Sequence, residues 1–207
     1  RVMSKAEILG RLVSCGFSIE EYFEYDNLLY VISKKIKEPY YDMKASYHPI
    51  FKMKRIGKNG NHIHIYKFRT MYPYSEYLQD FIIKDNGYAD NGKIKDDYRV
   101  TSWGKVFRKY WLDESPQLIN WLKGDLKLVG VRPLSQSFLN EYPNDIKEKR
   151  LRFKPGCIPP YVALKMQSVE DYIESERIYI EHKEKHPYST DIKFFFKAIF
   201  NILSRKI

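Results

Sequence analysis

The sequence predicts an α+β fold, a compact mixture of helices and short strands with a helix-plus-hairpin appendage at its start and an amphipathic helix at its end. Three observations carry this. Helical patterns recur at 4–14, 101–111, 116–123, 136–152, 168–185 and from 190 onward. Two pairs of short apolar runs are each joined by a turn signal, Asp26-Asn27 in one and Gly57-Lys58-Asn59-Gly60 in the other. With 43% hydrophobic and 30% charged residues, a chain of 207 residues suits one globular domain, alone or with a small appendage.

Taken in order, Ile8, Leu9, Leu12 and Val13 predict a first helix, with Ser4 as N-cap and Gly16 as its stop. Residues 18–35 predict two strands about the Asp26-Asn27 turn. Residues 1–49 then form the appendage and a tyrosine-rich connector, and 50–207 the main domain. Within that domain a second hairpin spans 51–68, a polar loop with some helix at 75–84 fills 72–98, and a helix follows over 101–111. The next helix runs from Pro116 to Lys123 and is ended by Gly124, ahead of a strand over 126–131. Lys154-Pro155-Gly156-Cys157-Ile158-Pro159-Pro160 reads as a loop that no helix can cross. From Thr190, the polar residues Lys193, Lys197, Asn201 and Ser204 draw one narrow stripe on an otherwise apolar helix, capped by Thr190 or Asp191. A helix this apolar is either buried or lies in a membrane interface, and the basic stripe with Arg205-Lys206 favours the interface.

The formal charge of +10 points to an anionic partner, whether phosphate, an acidic lipid surface or nucleic acid, or to a plain solvated basic surface. Cys15 and Cys157 are too few for a disulfide framework or a CxxC zinc site. No stretch is long and apolar enough to span a bilayer, and because the sequence starts at Arg1 a membrane segment is allowed for upstream. No helix-turn-helix, RNP or zinc signature supports nucleic-acid binding. His62 and His64 share a strand face but lack a third metal ligand nearby.

Chemistry concentrates between Asp96 and Pro133. Asp113 and Glu114 stand just before Pro116, where a helix begins. With Asp113 or Ser115 as N-cap, the acidic pair sits at the positive end of a helix dipole, a place for phosphate to dock. Arg108 lies about one and a half turns earlier, and Arg132 follows an apolar strand, where a strand end delivers side chains to a cleft.

These residues carry a resemblance. Lys54–Met71, KRIGKNGNHIHIYKFRTM, and Asp96–Pro133, DDYRVTSWGKVFRKYWLDESPQLINWLKGDLKLVGVRP, closely resemble the bacterial sugar transferase family of single-domain polyprenyl-phosphate phosphoglycosyltransferases. The family's arginine-glycine turn, YKFRTM, D-x-R-x-T-x-x-G-x-x-x-R, L-D-E-x-P-Q-L-x-N, K-G-D and V-G-x-R-P all occur in order, with a strong match over about 50–165. The resemblance implies transfer of a phosphosugar from a nucleotide diphosphosugar, uridine being the expected nucleoside, to a polyprenyl phosphate, which initiates capsule, exopolysaccharide or O-antigen assembly. It implies Asp113 as nucleophile, Glu114 as its assistant, and Mg²⁺ held chiefly by that pair. Lys67, Arg69, Arg108, Arg132 and the adjoining Pro133 would position phosphates or nucleotide. It places the protein at the cytoplasmic face of the bacterial inner membrane, peripheral or monotopic, and is compatible with a homo-oligomer.

The chain departs from the family pattern in four places. Residues 1–49 stand where a membrane-embedded hairpin is usual, Met53 replaces a glutamine, Gly130-Val131-Arg132-Pro133 replaces G-P-R-P, and Cys157–Val162 replaces the loop T-G-x-x-Q-V. The competing reading is a catalytically silent membrane-surface scaffold or regulator of the same fold.

Overall fold

The computed structural model describes residues 2–40, 47–87 and 94–204; the terminal Arg205-Lys206 pair lies outside them. It has a mixed α+β architecture, and the chain divides into two compact units: residues 1–48 with 69–106, and residues 49–68 with 107–207.

In the first unit, α1 (Lys5–Ser14) starts where predicted, with the Ser4 hydroxyl accepting the Glu7 N–H at 3.2 Å. Strands β1 (Phe17–Tyr25) and β2 (Leu28–Lys35) pair antiparallel. The turn between them has Asp26 and Asn27 at φ 48° and 58°, the paired left-handed conformation that a two-residue hairpin requires. Helix α2 (Gln79–Asn86), preceded by a 3₁₀ turn, bears out the helical reading of the 72–98 region. Leu78 and Ile82, one turn apart, pack with Ala6, Leu9 and Ile19 to form this unit's core. Arg99 is buried and bonds both oxygens of Asp97 at 2.8 Å and Gln79 at 2.7 Å, which explains the D-x-R spacing as a structural staple. Helix α3 (Ser102–Lys109) leads the chain from the first unit into the second.

In the second unit, β3 (Ile50–Ile56) and β4 (His62–Phe68) form the expected hairpin, with Phe51 opposite Lys67, Met53 opposite Ile65 and Arg55 opposite Ile63. Gly60 at φ 78° completes its turn. Helix α4 (Gln117–Leu122) is followed by Gly124 at φ 78° and by β5 (Lys127–Val129). The predicted loop at 154–160 instead contains a strand, β6 (Gly156–Ile158), parallel to β5. The two backbones approach so closely that a Cβ on Gly156 would lie 2.1 Å from Gly130 N, so K-P-G and V-G-x-R-P meet glycine to glycine.

Helices α5 (Gln136–Asn140), α6 (Asn144–Leu151), α7 (Pro160–Leu164), α8 (Val169–Lys185) and α9 (Ser189–Leu203) complete the unit. Their core gathers Val131, Tyr142, Ile146, Val162, Tyr179, Ile180, Phe194 and Ala198. Helix α8 opens on a Ser168–Asp171 capping box.

Helix α9 corrects two expectations. Its N-cap is Tyr188 without a side-chain cap, because Thr190 donates to His182 and His186 carbonyls and Asp191 is engaged elsewhere. The polar stripe is not one solvated face: Asn201 is buried and donates to Val162 O and Ala163 O at 2.9 and 3.1 Å, tying α9 to the end of α7. The helix is buried along Thr190, Phe194, Ala198 and Asn201, yet Ile192, Phe196, Phe200 and Leu203 on the other side are 59–78% exposed. The buried reading thus holds for one side of this helix, and the other side is an exposed apolar face.

Asp191 accepts from Tyr179 at 2.6 Å, Lys183 at 2.7 Å and Lys127 at 3.0 Å, joining α9, α8 and β5. Burial alone would raise its carboxyl pKa, but the hydrogen bonds from Lys183, Tyr179 and Lys127 outweigh it and the pKa is lowered. A depressed carboxyl stabilises the fold above its unfolded pKa of about 3.9 and loses that contribution as pH falls through the lower folded value. The Tm gap between wild type and Asp191→Asn is therefore expected to be constant above about pH 5 and to close toward acid. A gap that widened toward acid would contradict this network.

Candidate active site

The acidic pair is presented by local geometry that the sequence did not disclose. After α3, Trp111 adopts a left-handed φ of 59°, and Leu112–Glu114 form a 3₁₀ turn closed by Glu114 N–H to Trp111 O and Ser115 N–H to Leu112 O. Neither Asp113 nor Ser115 caps α4. A side-chain N-cap ordinarily has extended backbone, but Ser115 (φ −57°, ψ −30°) is already helical, and the residue that precedes α4, Pro116 (φ −62°, ψ −13°), is helical too and has no side-chain acceptor. The Ser115 hydroxyl donates back to Leu112 O. With only six residues, α4 offers a short dipole, and the positive field around the pair comes chiefly from side chains.

Those side chains converge in the second unit. Lys67, at the end of β4, forms an ion pair with Glu114 Oε1. Gln117, on the first turn of α4, donates to Glu114 Oε2. Arg55 sits on β3 on the same strand face as Lys67, since their cross-strand partners Ile63 and Phe51 alternate in register. Its pKa is lowered by burial and by the nearby Arg132, with Glu114 acting the other way. Two guanidinium groups held this close, half-buried, make a seat for an anion. Arg132 follows β5, and its guanidinium lies over the rings of Tyr172 and Tyr161, 5.1 and 5.5 Å from their centres.

Lys67, Glu114, Arg132 and Pro133 line one small cavity of about 50 Å³ together with Arg55, Ile65, Trp111, Gln117, Cys157, Pro159 and Tyr161. Ligand pockets usually enclose about 300–1,000 Å³, so this cavity is too small to enclose more than a compact charged group. Asp113 adjoins this cluster. Burial and then Glu114 raise its carboxyl pKa, and Lys67 and Arg108 act to lower it. Burial also pushes the Cys157 thiol up to about 11 and the Tyr161 phenol up to about 12, so both are neutral near pH 7.

The sequence-chosen residues are thus not all in one place. Lys67, Arg108, Asp113, Glu114, Arg132 and Pro133 belong to the second unit, with Arg108 exposed at the end of α3. Arg69 belongs to the first, where its Nε donates to His48 O at 3.1 Å and its guanidinium lies over Tyr47. His62 and His64 are exposed on the strand face opposite to Lys67. Sequence reasoning passed over Arg55 and Gln117. The signal for Arg55 was available in the period-2 alternation that puts it on the Lys67 face. Gln117 sits one turn after Asp113 in a stretch read only as helix start.

Gln117 also bears on the expected Mg²⁺. Its Oε1 is buried and has no hydrogen-bond partner, next to Glu114. Magnesium takes oxygen ligands, commonly one or two carboxylates with substrate phosphates and waters. Asp113, Glu114 and the orphan Gln117 oxygen fit that chemistry. Among the described residues no group of three His, Cys, Asp or Glu side chains forms a metal cage.

Adjacent carboxylates beside converging cations define an anion-handling centre of the kind used in phosphoryl chemistry. The chain belongs to the bacterial sugar transferase family, whose profile matches residues 39–205. It is 34% identical over 145 residues to the galactosyl transferase CpsE of Streptococcus agalactiae serotype III, covering 70% of this chain and 32% of that protein. It is 39% identical over 112 residues to an undecaprenyl-phosphate galactose phosphotransferase of Salmonella typhimurium, covering 52% and 23%. A UDP-N-acetylgalactosamine-undecaprenyl-phosphate N-acetylgalactosaminephosphotransferase of Aeromonas hydrophila is 33% identical over 162 residues, covering 75% and 35%. The chain thus spans about a third or less of the length of these relatives.

Proposed function

We propose that this protein transfers a phosphosugar from a uridine diphosphosugar to a polyprenyl phosphate, the opening step of surface-glycan assembly, through an aspartyl-phosphosugar on Asp113. The observation that carries this reading is the acidic pair set among Lys67, Arg55, Arg108 and Arg132, in a chain whose relatives include undecaprenyl-phosphate sugar phosphotransferases.

The donor diphosphate lies across the Arg55–Arg132 seat. An Asp113 oxygen attacks the sugar-bearing phosphorus, the bond to the bridging oxygen breaks, and uridine monophosphate leaves with that oxygen. Burial and Glu114 keep Asp113 more basic than an ordinary carboxylate, while Lys67 and Arg108 hold it available as the anion. A phosphate oxygen of the acceptor then attacks the same phosphorus and releases Asp113, leaving a polyprenyl diphosphosugar. Lys67 and Gln117 fix Glu114 beside the reacting centre. Asp113 and Glu114 would hold Mg²⁺, which would supply charge neutralisation at the donor phosphates.

The membrane side of the reading rests on the exposed face of α9. Leu118, Trp121 and Leu122 on α4 are also exposed, and a largely apolar hollow of about 330 Å³, lined by Trp121, Leu128, Val129, Ile192, Phe195 and Phe196 with Asp191 as its one charged residue, lies between these two surfaces. No helix among the described residues is long and apolar enough to cross a membrane. Such a surface suits a protein that lies against the bilayer where its lipid acceptor resides.

The test is a half-reaction without lipid. Protein, Mg²⁺ and a panel of uridine diphosphosugars are expected to give one equivalent of uridine monophosphate per chain and a mass gain of one phosphosugar, discharged by polyprenyl phosphate, with ping-pong kinetics. Turnover with no burst, no adduct and intersecting kinetic lines would mean direct attack by the lipid phosphate. A lack of any turnover would favour the scaffold.

A further inference from the structure

Arg132 is held by its backbone as well as by its side chain. Its N–H donates to Glu176 Oε1 at 2.7 Å, and its carbonyl accepts from Arg150 Nη2 at 2.5 Å. Arg150 closes the ring, its Nε donating to Glu176 Oε2 at 2.7 Å and its Nη2 to Oε1 at 3.3 Å. The Arg150 and Glu176 side chains, from α6 and α8, are 2% and 1% exposed, so neither can touch substrate. Tyr172, which carries the Arg132 guanidinium on its ring, lies one helical turn before Glu176 on α8. Its ring stands 4.6 Å from that of Tyr161, the second ring under the guanidinium. One helix therefore supplies both the anchor for the Arg132 backbone and part of the wall for its side chain.

A buried ion pair adds little net stability over apolar groups of the same volume, because desolvation offsets the attraction. This pair has a more specific consequence. Arg132 lies between β5 and α5, where its N–H and C=O have no strand or helix partner, and buried peptide groups must be satisfied somewhere. The Glu176–Arg150 ring satisfies both, at the residue whose side chain enters the anion seat.

We infer that Glu176, acting with Arg150, is a positioning residue for phosphosugar transfer: it fixes the Arg132 peptide so that the guanidinium, seated on Tyr172 and Tyr161, faces the donor diphosphate. The inference rests on the proposed phosphate role of Arg132 and deepens it.

Glu176→Gln keeps the size and one carbonyl acceptor but removes the charge that locks Arg150. It is expected to lower kcat/KM for the uridine diphosphosugar about 30-fold, and less than about 3-fold when Arg132 is already Ala, because coupled residues are non-additive. Equal losses in both backgrounds would indicate a merely structural role and overturn the inference. A second readout does not depend on turnover. In ¹⁵N-arginine-labelled protein, the Arg132 amide and its ring-shifted Nε–H signal, both assigned by their loss in Arg132→Lys, should move in Glu176→Gln. If they stay in place, the clamp is wrong. Should Glu176→Gln fail to fold, the pair Glu176→Leu with Arg150→Met replaces the buried charges by apolar groups of similar volume. That pair is expected to hold Tm within about 5 °C and still lose about 30-fold in kcat/KM; full activity in it overturns the inference. Shifted arginine signals in a protein inactive with every donor would count against the transferase reading and leave the clamp standing.

Discussion

Asp113→Asn is expected to abolish transfer, lowering kcat/KM for the donor by about 10⁴–10⁶-fold, the scale seen when a nucleophile or a residue acting with it is removed. The amide keeps the shape of the side chain, but its neutral oxygen is a far weaker nucleophile toward phosphorus than a carboxylate oxygen. Neither the uridine monophosphate burst nor the phosphosugar adduct should form. Folding should not suffer. Burial and Glu114 raise the Asp113 carboxyl pKa, and a carboxyl whose pKa rises on folding opposes the folded state once pH exceeds its unfolded value. A neutral amide at pH 7 is therefore expected to leave Tm unchanged or slightly higher, which separates a chemical defect from a folding one. Near-normal transfer by Asp113→Asn, or loss of activity that tracks a lowered Tm, would remove Asp113 from the nucleophile's place.

Phe196→Ser with Phe200→Ser is expected to release the protein from liposomes containing anionic lipid. Both rings are more than 60% exposed, on the side of α9 away from the core. Burying such a side chain stabilises by about 1.5–3 kcal/mol, so losing two lowers membrane partitioning by about 10²–10⁴-fold. Lys193 and Lys197, exposed beside them, add about 1 kcal/mol each near an anionic surface, too little to hold the protein alone. Phe194 is the wrong residue for this experiment, because it packs against Tyr179 in the core and its loss would unfold the unit. Sedimentation with liposomes that persists in the double variant would move the docking surface away from α9.

Wherever a local rule sufficed, the fold was legible. Asp26-Asn27 announced a hairpin because both residues tolerate a left-handed backbone, and the helical pattern over 168–185 announced α8. The β6 strand was not legible, because three residues between Pro155 and Pro159 are too few to show a period, and they pair only with a strand some thirty residues away. The acidic pair was found, but its setting was misread: Asp-Glu-Ser-Pro looks like a helix cap, and only the backbone angles show that Ser115 and Pro116 are already helical. Arg55 and Gln117 were passed over because one looked like part of a turn motif and the other like a helix start. In α9, composition alone made Asn201 a solvent residue, whereas two carbonyls at the end of α7 draw it inside.

The first unit's core has a consequence for gene architecture. Ala6, Leu9 and Ile19 lie outside the stretch that matches the family, whereas their packing partners Leu78 and Ile82 lie within it. A deletion of residues 1–38 would strip the cover from Leu78 and Ile82 and leave an oily flank on the part that remains. The opening forty residues therefore cannot be shuffled on and off as a cassette. A shortened transferase designed from the family boundary alone would need that flank rewritten with polar side chains, or given another amphipathic segment to shield it, before it could be expected to stay soluble.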